Sequence, residues 1–256
     1  MRKYLMVIAK YRDWRQSFFE ENMSPRNTEY CKLHNFEYLE IKNETELPIF
    51  RGEATWWKFT IVRDMINSGQ LVDGDIITHL DADMAISNLN IDYSTKKSFS
   101  YSIDSGNTHC MGSYSLKVNE WSRKMLDLLL SEDRYKALIG DFTFNPPAHP
   151  SHLLSFWQQF REQASWYSLA GIKRHSWEPF WNLPNFGWHS NKNQWTAYSL
   201  EELTEHVEVL PTEYNVTEVE GESNSEFLIN KVRNEDVFIR HFAGGQPWRK
   251  EWFNKN

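Results

Sequence analysis

The segment Asp75-Ile76-Ile77-Thr78-His79-Leu80-Asp81-Ala82-Asp83-Met84-Ala85-Ile86 constrains this chain more than any other. The apolar run from Ile76 to Leu80 reads as a strand buried on both faces, and it leads straight into two carboxylates one residue apart. Side chains alternate along a strand, so Asp81 and Asp83 are expected on the same side if the strand continues through them. Open α/β sheets hold their ligands at the carboxyl ends of the strands. Two carboxylates there repel each other unless positive charge lies between them. A hard divalent cation, bound by oxygen ligands and shared with substrate phosphates, meets both conditions. A bare Asp-x-Asp is short and common, and an acidic turn after a strand reads the same way, so the rest of the chain has to discriminate.

A chain of 256 residues with 40% hydrophobic content can bury the core of one large α/β domain or of two small ones. We expect a single domain over 1–256, with a nucleotide-binding half (1–115) and an acceptor half (116–256). The net charge of -7 argues against nucleic acid as a partner, since that needs a basic face. Twelve Trp, 11 Tyr and 16 Phe serve either as core rings or as stacking platforms for a sugar or a base. Cys31 and Cys110 are the only cysteines, and neither has metal-ligand spacing, so both are expected as free thiols in a reducing compartment. The apolar run Tyr4–Ala9 is too short for a signal peptide's core. No stretch approaches the roughly 20 apolar residues of a membrane span. The expectation is a soluble, cytoplasmic protein without a transmembrane segment.

Along the chain, Lys3–Ala9 and Phe36–Ile41 read as strands. Arg12–His34 reads as helical, with Pro25 breaking it or starting a new helix. Trp57, Ile61 and Met65 recur at helical spacing over Trp56–Ser68, and Gly69 stands where such a helix ends. After the strand Ile76–Leu80, further strands are expected over Ser98–Ile103 and Cys110–Leu116, and a helix over Asn119–Ser131. Strand and helix alternate through the first hundred residues, which predicts a mostly parallel, Rossmann-like sheet flanked by helices. Pro146, Pro147 and Pro150 make Phe142–His152 a loop, Leu153–Leu169 reads as a helix, and Arg174–Trp195 has no clear period. The acceptor half is therefore expected to be irregular. His109, His175 and His189 receive no role.

Six pieces then fall in order: Asn27–Tyr38, Trp56-Trp57-Lys58-Phe59, Leu80-Asp81-Ala82-Asp83, Glu162-Gln163-Ala164, Leu210-Pro211-Thr212-Glu213-Tyr214-Asn215 and His241-Phe242-Ala243-Gly244-Gly245. This series resembles the retaining GT-A glycosyltransferase family that holds fungal α-galactosyl- and mannosyltransferases and plant xyloglucan xylosyltransferases. The C-terminal His241-Phe242-Ala243-Gly244 with Pro247-Trp248 is also similar to the glycogenin and lipopolysaccharide galactosyltransferase family. Two departures stand out: Gln246 precedes Pro247 where that family has Lys, and Glu162 occupies a place where Asp is more usual.

The resemblance implies a GT-A fold and a donor UDP-sugar, with Mn²⁺ (or Mg²⁺) as cofactor. It implies Asp81, Asp83 and His241 as metal ligands, with Asp83 the more direct and Asp81 also serving the ribose. Lys58, Asp81, Asn215, Gly244, Gly245 and Arg249 would bind the donor, the glycines letting backbone N–H groups approach a phosphate. Glu162 and Gln163 would be catalytic, stabilising the charge that develops at the anomeric carbon. The acceptor would be a carbohydrate or glycolipid hydroxyl, and the transferred sugar a hexose or pentose. Two other functions share part of this pattern. A metal-dependent sugar nucleotidyltransferase also places paired carboxylates on an α/β sheet, but usually opens with a glycine-rich loop, and Lys10–Arg15 contains no glycine. A non-catalytic sugar-binding module would account for the Trp content and leave the Asp pair and His241 without a purpose.

Overall fold

A computed structural model describes residues 1–9, 14–42, 54–104, 109–132, 161–170, 197–217 and 237–242. The chain forms two compact units: residues 1–47, 72–119 and 208–256 make the first, and 48–71 with 120–207 the second.

The first unit is built on a six-stranded sheet. Its strands are β1 (Lys3–Ile8), β2 (Glu37–Ile41), β3 (Ile76–Leu80), β5 (Phe99–Ile103), β6 (His109–Lys117) and β7 (Val207–Leu210), in the order β2-β1-β3-β6-β5-β7. β1 pairs in parallel with both β2 and β3, whereas β6 runs antiparallel to both β3 and β5. β2, β1, β3 and β5 therefore point the same way, giving the mixed, mostly parallel α/β sheet predicted from the alternation of elements. Every residue of β3 is buried, which is why its sequence is an unbroken apolar run apart from Thr78 and His79. A second sheet orders β4 (Met84–Ile86), β9 (Ile239–His241) and β8 (Val216–Thr217) as β4-β9-β8, tying the chain beyond Asp83 to its last described strand.

The predicted helix over Arg12–His34 divides into α1 (Trp14–Phe18), a π-helical turn (Phe19–Met23) and α2 (Ser24–His34). Pro25 sits in the first turn of α2, where its missing N–H costs nothing. Asn35 ends α2 in the left-handed region at φ 58°, and the N–H of Asn35 and that of Phe36 both reach the Cys31 carbonyl. Leu5, Val7, Phe19, Tyr30, Leu80, Ile86 and Phe242 belong to one buried cluster against this sheet. Cys31 and Cys110 are buried free thiols, and burial pushes the Cys31 thiol up to about 12.

The second unit is helical where it is described: α3 (Ala54–Asn67), α4 (Glu120–Leu129), α5 (Arg161–Ala170) and α6 (Leu200–His206). Gly69 follows α3 at φ +77°, as its place in the sequence predicts. α3, α4 and α5 pack on one another, and the Ser165 hydroxyl donates to the Leu129 carbonyl. Ser199 caps α6 by accepting the Glu202 N–H. Trp56, Trp121 and Trp166 are buried, so these tryptophans are core rings. Trp121 stacks on His206 at 5.0 Å. The predicted loops over 142–152 and 174–195, and the start of the predicted helix 153–169, lie outside the described residues. Among the described residues no helix is long and apolar enough to cross a membrane.

Asp75 pins the start of β3 to the start of β1. Its carboxylate accepts from the Arg2 backbone N–H (2.8 Å), from the Arg2 guanidinium (3.0 and 2.6 Å) and from the Val72 N–H (3.2 Å). Burial alone would raise the Asp75 carboxyl, but the bonds from Arg2 and Val72 outweigh it and hold the group below the usual carboxylate range. A folded-state value below the unfolded one of about 3.9 means that the stabilisation is complete above that pH and is lost as pH falls through the lowered value. The stability gap between wild type and Asp75→Asn in urea unfolding is therefore expected to narrow as pH drops below about 4. A gap that stays constant from neutral pH into acid refutes this.

Candidate active site

β3 stops at Leu80, where the sequence places its end, so the condition for Asp81 and Asp83 to share one strand face is not met. Asp81 to Asp83 instead form a turn closed by the Met84 N–H on the Asp81 carbonyl (2.9 Å). The reason is visible in the pairing: Asp81 makes one last bond to the neighbouring strand, from its N–H to the Gly112 carbonyl (2.7 Å), and the chain then leaves for the second sheet as β4. The two carboxylates consequently face different partners.

Asp83 meets His241. β4 and β9 pair antiparallel with Met84 opposite His241, and the Phe242 N–H donates to the Asp83 carbonyl at 2.8 Å. These contacts put His241 Nε2 3.6 Å from Asp83 Oδ1. β8 runs parallel to β9 with Thr217 opposite His241, and Thr217 Oγ1 lies 3.4 Å from His241 Nδ1. Thr217 thus borders the ring edge away from Asp83 and biases Nε2 toward the carboxylate. The approach to β9 is fixed by Tyr93, whose hydroxyl lies 2.8 Å from the Phe238 carbonyl and 2.9 Å from that of Asn88. Both site side chains retain some exposure, 16% for His241 and 27% for Asp83, so a small cation has access.

Asp81 turns to His79, whose Nε2 lies 2.9 Å from Asp81 Oδ1. An ionised carboxylate only accepts, so this nitrogen carries the proton. His79 is buried in β3, and its ring lies against Tyr114 at 5.3 Å. Burial first, and the Asp81 charge second, push the Tyr114 hydroxyl well above its ordinary range, so it stays neutral. Gly112 flanks the other oxygen: a β-carbon there would lie 2.8 Å from Asp81 Oδ2 and 2.8 Å from Met84 Cε. Sequence reasoning passed over His79, Gly112 and Thr217 as site residues. His79 had a signal, since a residue two before Asp81 shares its face in a strand, but a histidine in an apolar run also reads as core. Gly112 and Thr217 had none, because their proximity comes from strand pairing.

Whether these groups suit a divalent cation is a matter of spacing. Two bonds of about 2.1 Å to a shared ion place the bonded atoms about 3.0 Å apart at a right angle and about 3.4 Å apart at the tetrahedral angle. The Asp83–His241 separation of 3.6 Å fits a shared ion with little adjustment. Among the described residues, no three His, Cys, Asp or Glu side chains are gathered closely enough to hold a metal.

Asn215 is fully buried after the short 3₁₀ turn Thr212–Tyr214, and among the described residues its Oδ1 and Nδ2 have no hydrogen-bond partner. Such a group costs about 1–3 kcal/mol. Gly244, Gly245 and Arg249 lie outside the described residues. In the second unit, Lys58 on α3 and Glu162 on α5 form a buried ion pair with Nζ 3.5 Å from Oε1. Gln163 is also buried, and its Nε2 donates to the Tyr167 hydroxyl at 3.1 Å.

No family model matches the sequence, and no curated protein matches it. Solved structures do. A glycosyltransferase involved in the glycosylation of the major capsid of PBCV-1 aligns over 99% of this chain and 100% of its own, with TM-score 0.56 and 11% identity. Mouse xyloside xylosyltransferase 1 aligns over 96% of this chain and 99% of its own, with TM-score 0.44 and 10% identity. Drosophila β1,4-galactosyltransferase 7, in complex with manganese, UDP-Gal and xylobiose, aligns over 50% of this chain and 52% of its own, with TM-score 0.32 and 13% identity. The first of these shows the fold, which is the GT-A arrangement.

The Lys58–Glu162 pair is open to a direct test in the whole chain. Removing one member of a buried pair strands the other charge at a cost of about 3–5 kcal/mol. Lys58→Met is expected to lose stability of that order in urea unfolding, and Lys58→Met with Glu162→Leu to regain most of it. Strict additivity of the two substitutions would show that the charges are not coupled.

Proposed function

We propose that this chain is a metal-dependent, retaining glycosyltransferase that moves a hexose or pentose from a UDP-sugar to a hydroxyl of a glycan or glycolipid. The observation that carries this reading is the meeting of Asp83 and His241, from distant parts of the sequence, at 3.6 Å beside the end of the central strand of a GT-A fold. Asp83 and His241, with Asp81 on the same turn, would hold Mn²⁺ or Mg²⁺. When bound, the cation would supply positive charge to the diphosphate that leaves. Asp83 supplies a hard oxygen ligand, while His241 supplies Nε2.

Asp81 serves the ribose as well as the metal, as the resemblance implies, and Asn215 orders the acceptor side of the pocket. Gly244, Gly245 and Arg249 serve the diphosphate, where bare backbone N–H groups and a cation are suited to phosphate oxygens. Lys58 serves the donor, and Glu162 and Gln163 the transferred sugar, each offering an oxygen to positive character at the anomeric carbon. Retention follows if the acceptor hydroxyl attacks from the face that the diphosphate leaves and passes its proton to that phosphate. No strongly basic side chain is then needed.

Calorimetric titration with UDP tests the cation site. Wild type is expected to bind UDP in the presence of Mn²⁺ and to lose that binding in chelator, and Asp83→Ala and His241→Ala are expected to abolish the metal-dependent part. Unchanged UDP affinity in both variants would exclude this site. Turnover tests the sugar assignment: Gln163→Ala and Glu162→Gln are expected to lower it by about 10²–10³ while UDP affinity holds. Wild-type turnover in both folded variants removes them from the reaction.

A further inference from the structure

We propose that His79 is a positioning residue of the site, and that it and Gly112 form a seat that holds the Asp81 carboxylate in one orientation. This rests on Asp81 belonging to a cation and nucleotide site, and it adds the residues that decide how Asp81 is presented there. Three contacts make the seat. His79 Nε2 donates to Oδ1 at 2.9 Å, the Asp81 N–H is tied to the Gly112 carbonyl at 2.7 Å, and Oδ2 occupies the space that a β-carbon on Gly112 would need, at 2.8 Å.

His79 itself cannot drift. It is the fourth residue of a strand buried along its whole length, it pairs with Tyr114 across β6, and its ring lies against the Tyr114 ring. The Asp81 side chain, by contrast, is 36% exposed, so its outer edge meets solvent while its inner edge is fixed. An aspartate at a strand end would otherwise sample several rotamers, and a cation or a ribose hydroxyl would have to select one of them. Holding Oδ1 from behind removes that cost. It also separates the two carboxylates of the Asp-x-Asp turn before any cation arrives, since Asp81 is drawn to His79 and Asp83 lies by His241. Groups that orient metal-site carboxylates in this way commonly account for about 10- to 100-fold in metal affinity or activity.

The experiment compares two replacements of similar size in the full chain. His79→Gln keeps an N–H donor at the reach of Nε2, whereas His79→Leu fills the space without one. Titration with MnCl₂ and UDP is expected to show UDP affinity weakened about 10- to 100-fold in His79→Leu and largely restored in His79→Gln. Gly112→Ala, which displaces Oδ2 and leaves His79 in place, is expected to weaken binding in the same direction. Circular dichroism and thermal unfolding confirm that each variant is folded. Wild-type affinity in folded His79→Leu, or equal loss in the Leu and Gln variants, would overturn the positioning role while leaving the cation site intact. Should His79→Leu not fold, wild-type affinity in Gly112→Ala would overturn it. Failure of the wild type to bind UDP with Mn²⁺ would instead overturn the site, and the positioning role with it.

Discussion

The candidate site depends on where β3 gives up its place in the central sheet. A strand buried on both faces can keep its backbone hydrogen-bonded only while neighbours lie on either side. At Asp81 one such bond remains, to Gly112, and the chain then turns into a different sheet. That exchange of partners converts two aspartates that would share one face of a continuous strand into two aspartates with separate environments. It also brings β9, and with it His241, alongside the turn.

Charge is distributed accordingly. Each carboxylate of the turn has an imidazole close by, one buried behind it and one partly exposed beside it. The buried histidine suits a fixed hydrogen bond, because its ring is locked by packing. The partly exposed one has Thr217 at its far nitrogen and Asp83 beside its other. Two histidines in similar company thus have different chemical openings, decided by burial.

In the second unit, Lys58, Glu162 and Gln163 are buried on helices that pack on one another. An ion pair out of water is retained only when both charges stay together, which makes it a sensitive structural element. Any part these residues take in sugar transfer has to be compatible with that pairing.

β1, β2, β3, β5 and β6, the ends of α2 and α3 and the overall α/β class were legible in the sequence, because period, Pro25 and Gly69 act on the chain locally, whereas β7 and β8 were not. The prominence of Asp81 and Asp83 was legible too, since an apolar strand that ends in paired carboxylates is a local pattern. His241 came from the resemblance, and its meeting with Asp83 is a product of β4–β9 pairing, a long-range register that no local signal encodes. Tertiary structure alone decided that the chain turns at Asp81 into a second sheet, that His79 holds Asp81, that a β-carbon on Gly112 would crowd Asp81 Oδ2, and that Lys58 is paired with Glu162. The physical reason is the same in each case: hydrogen-bond partners and the room beside a side chain belong to neighbours supplied by other elements, and the sequence around a residue does not name them.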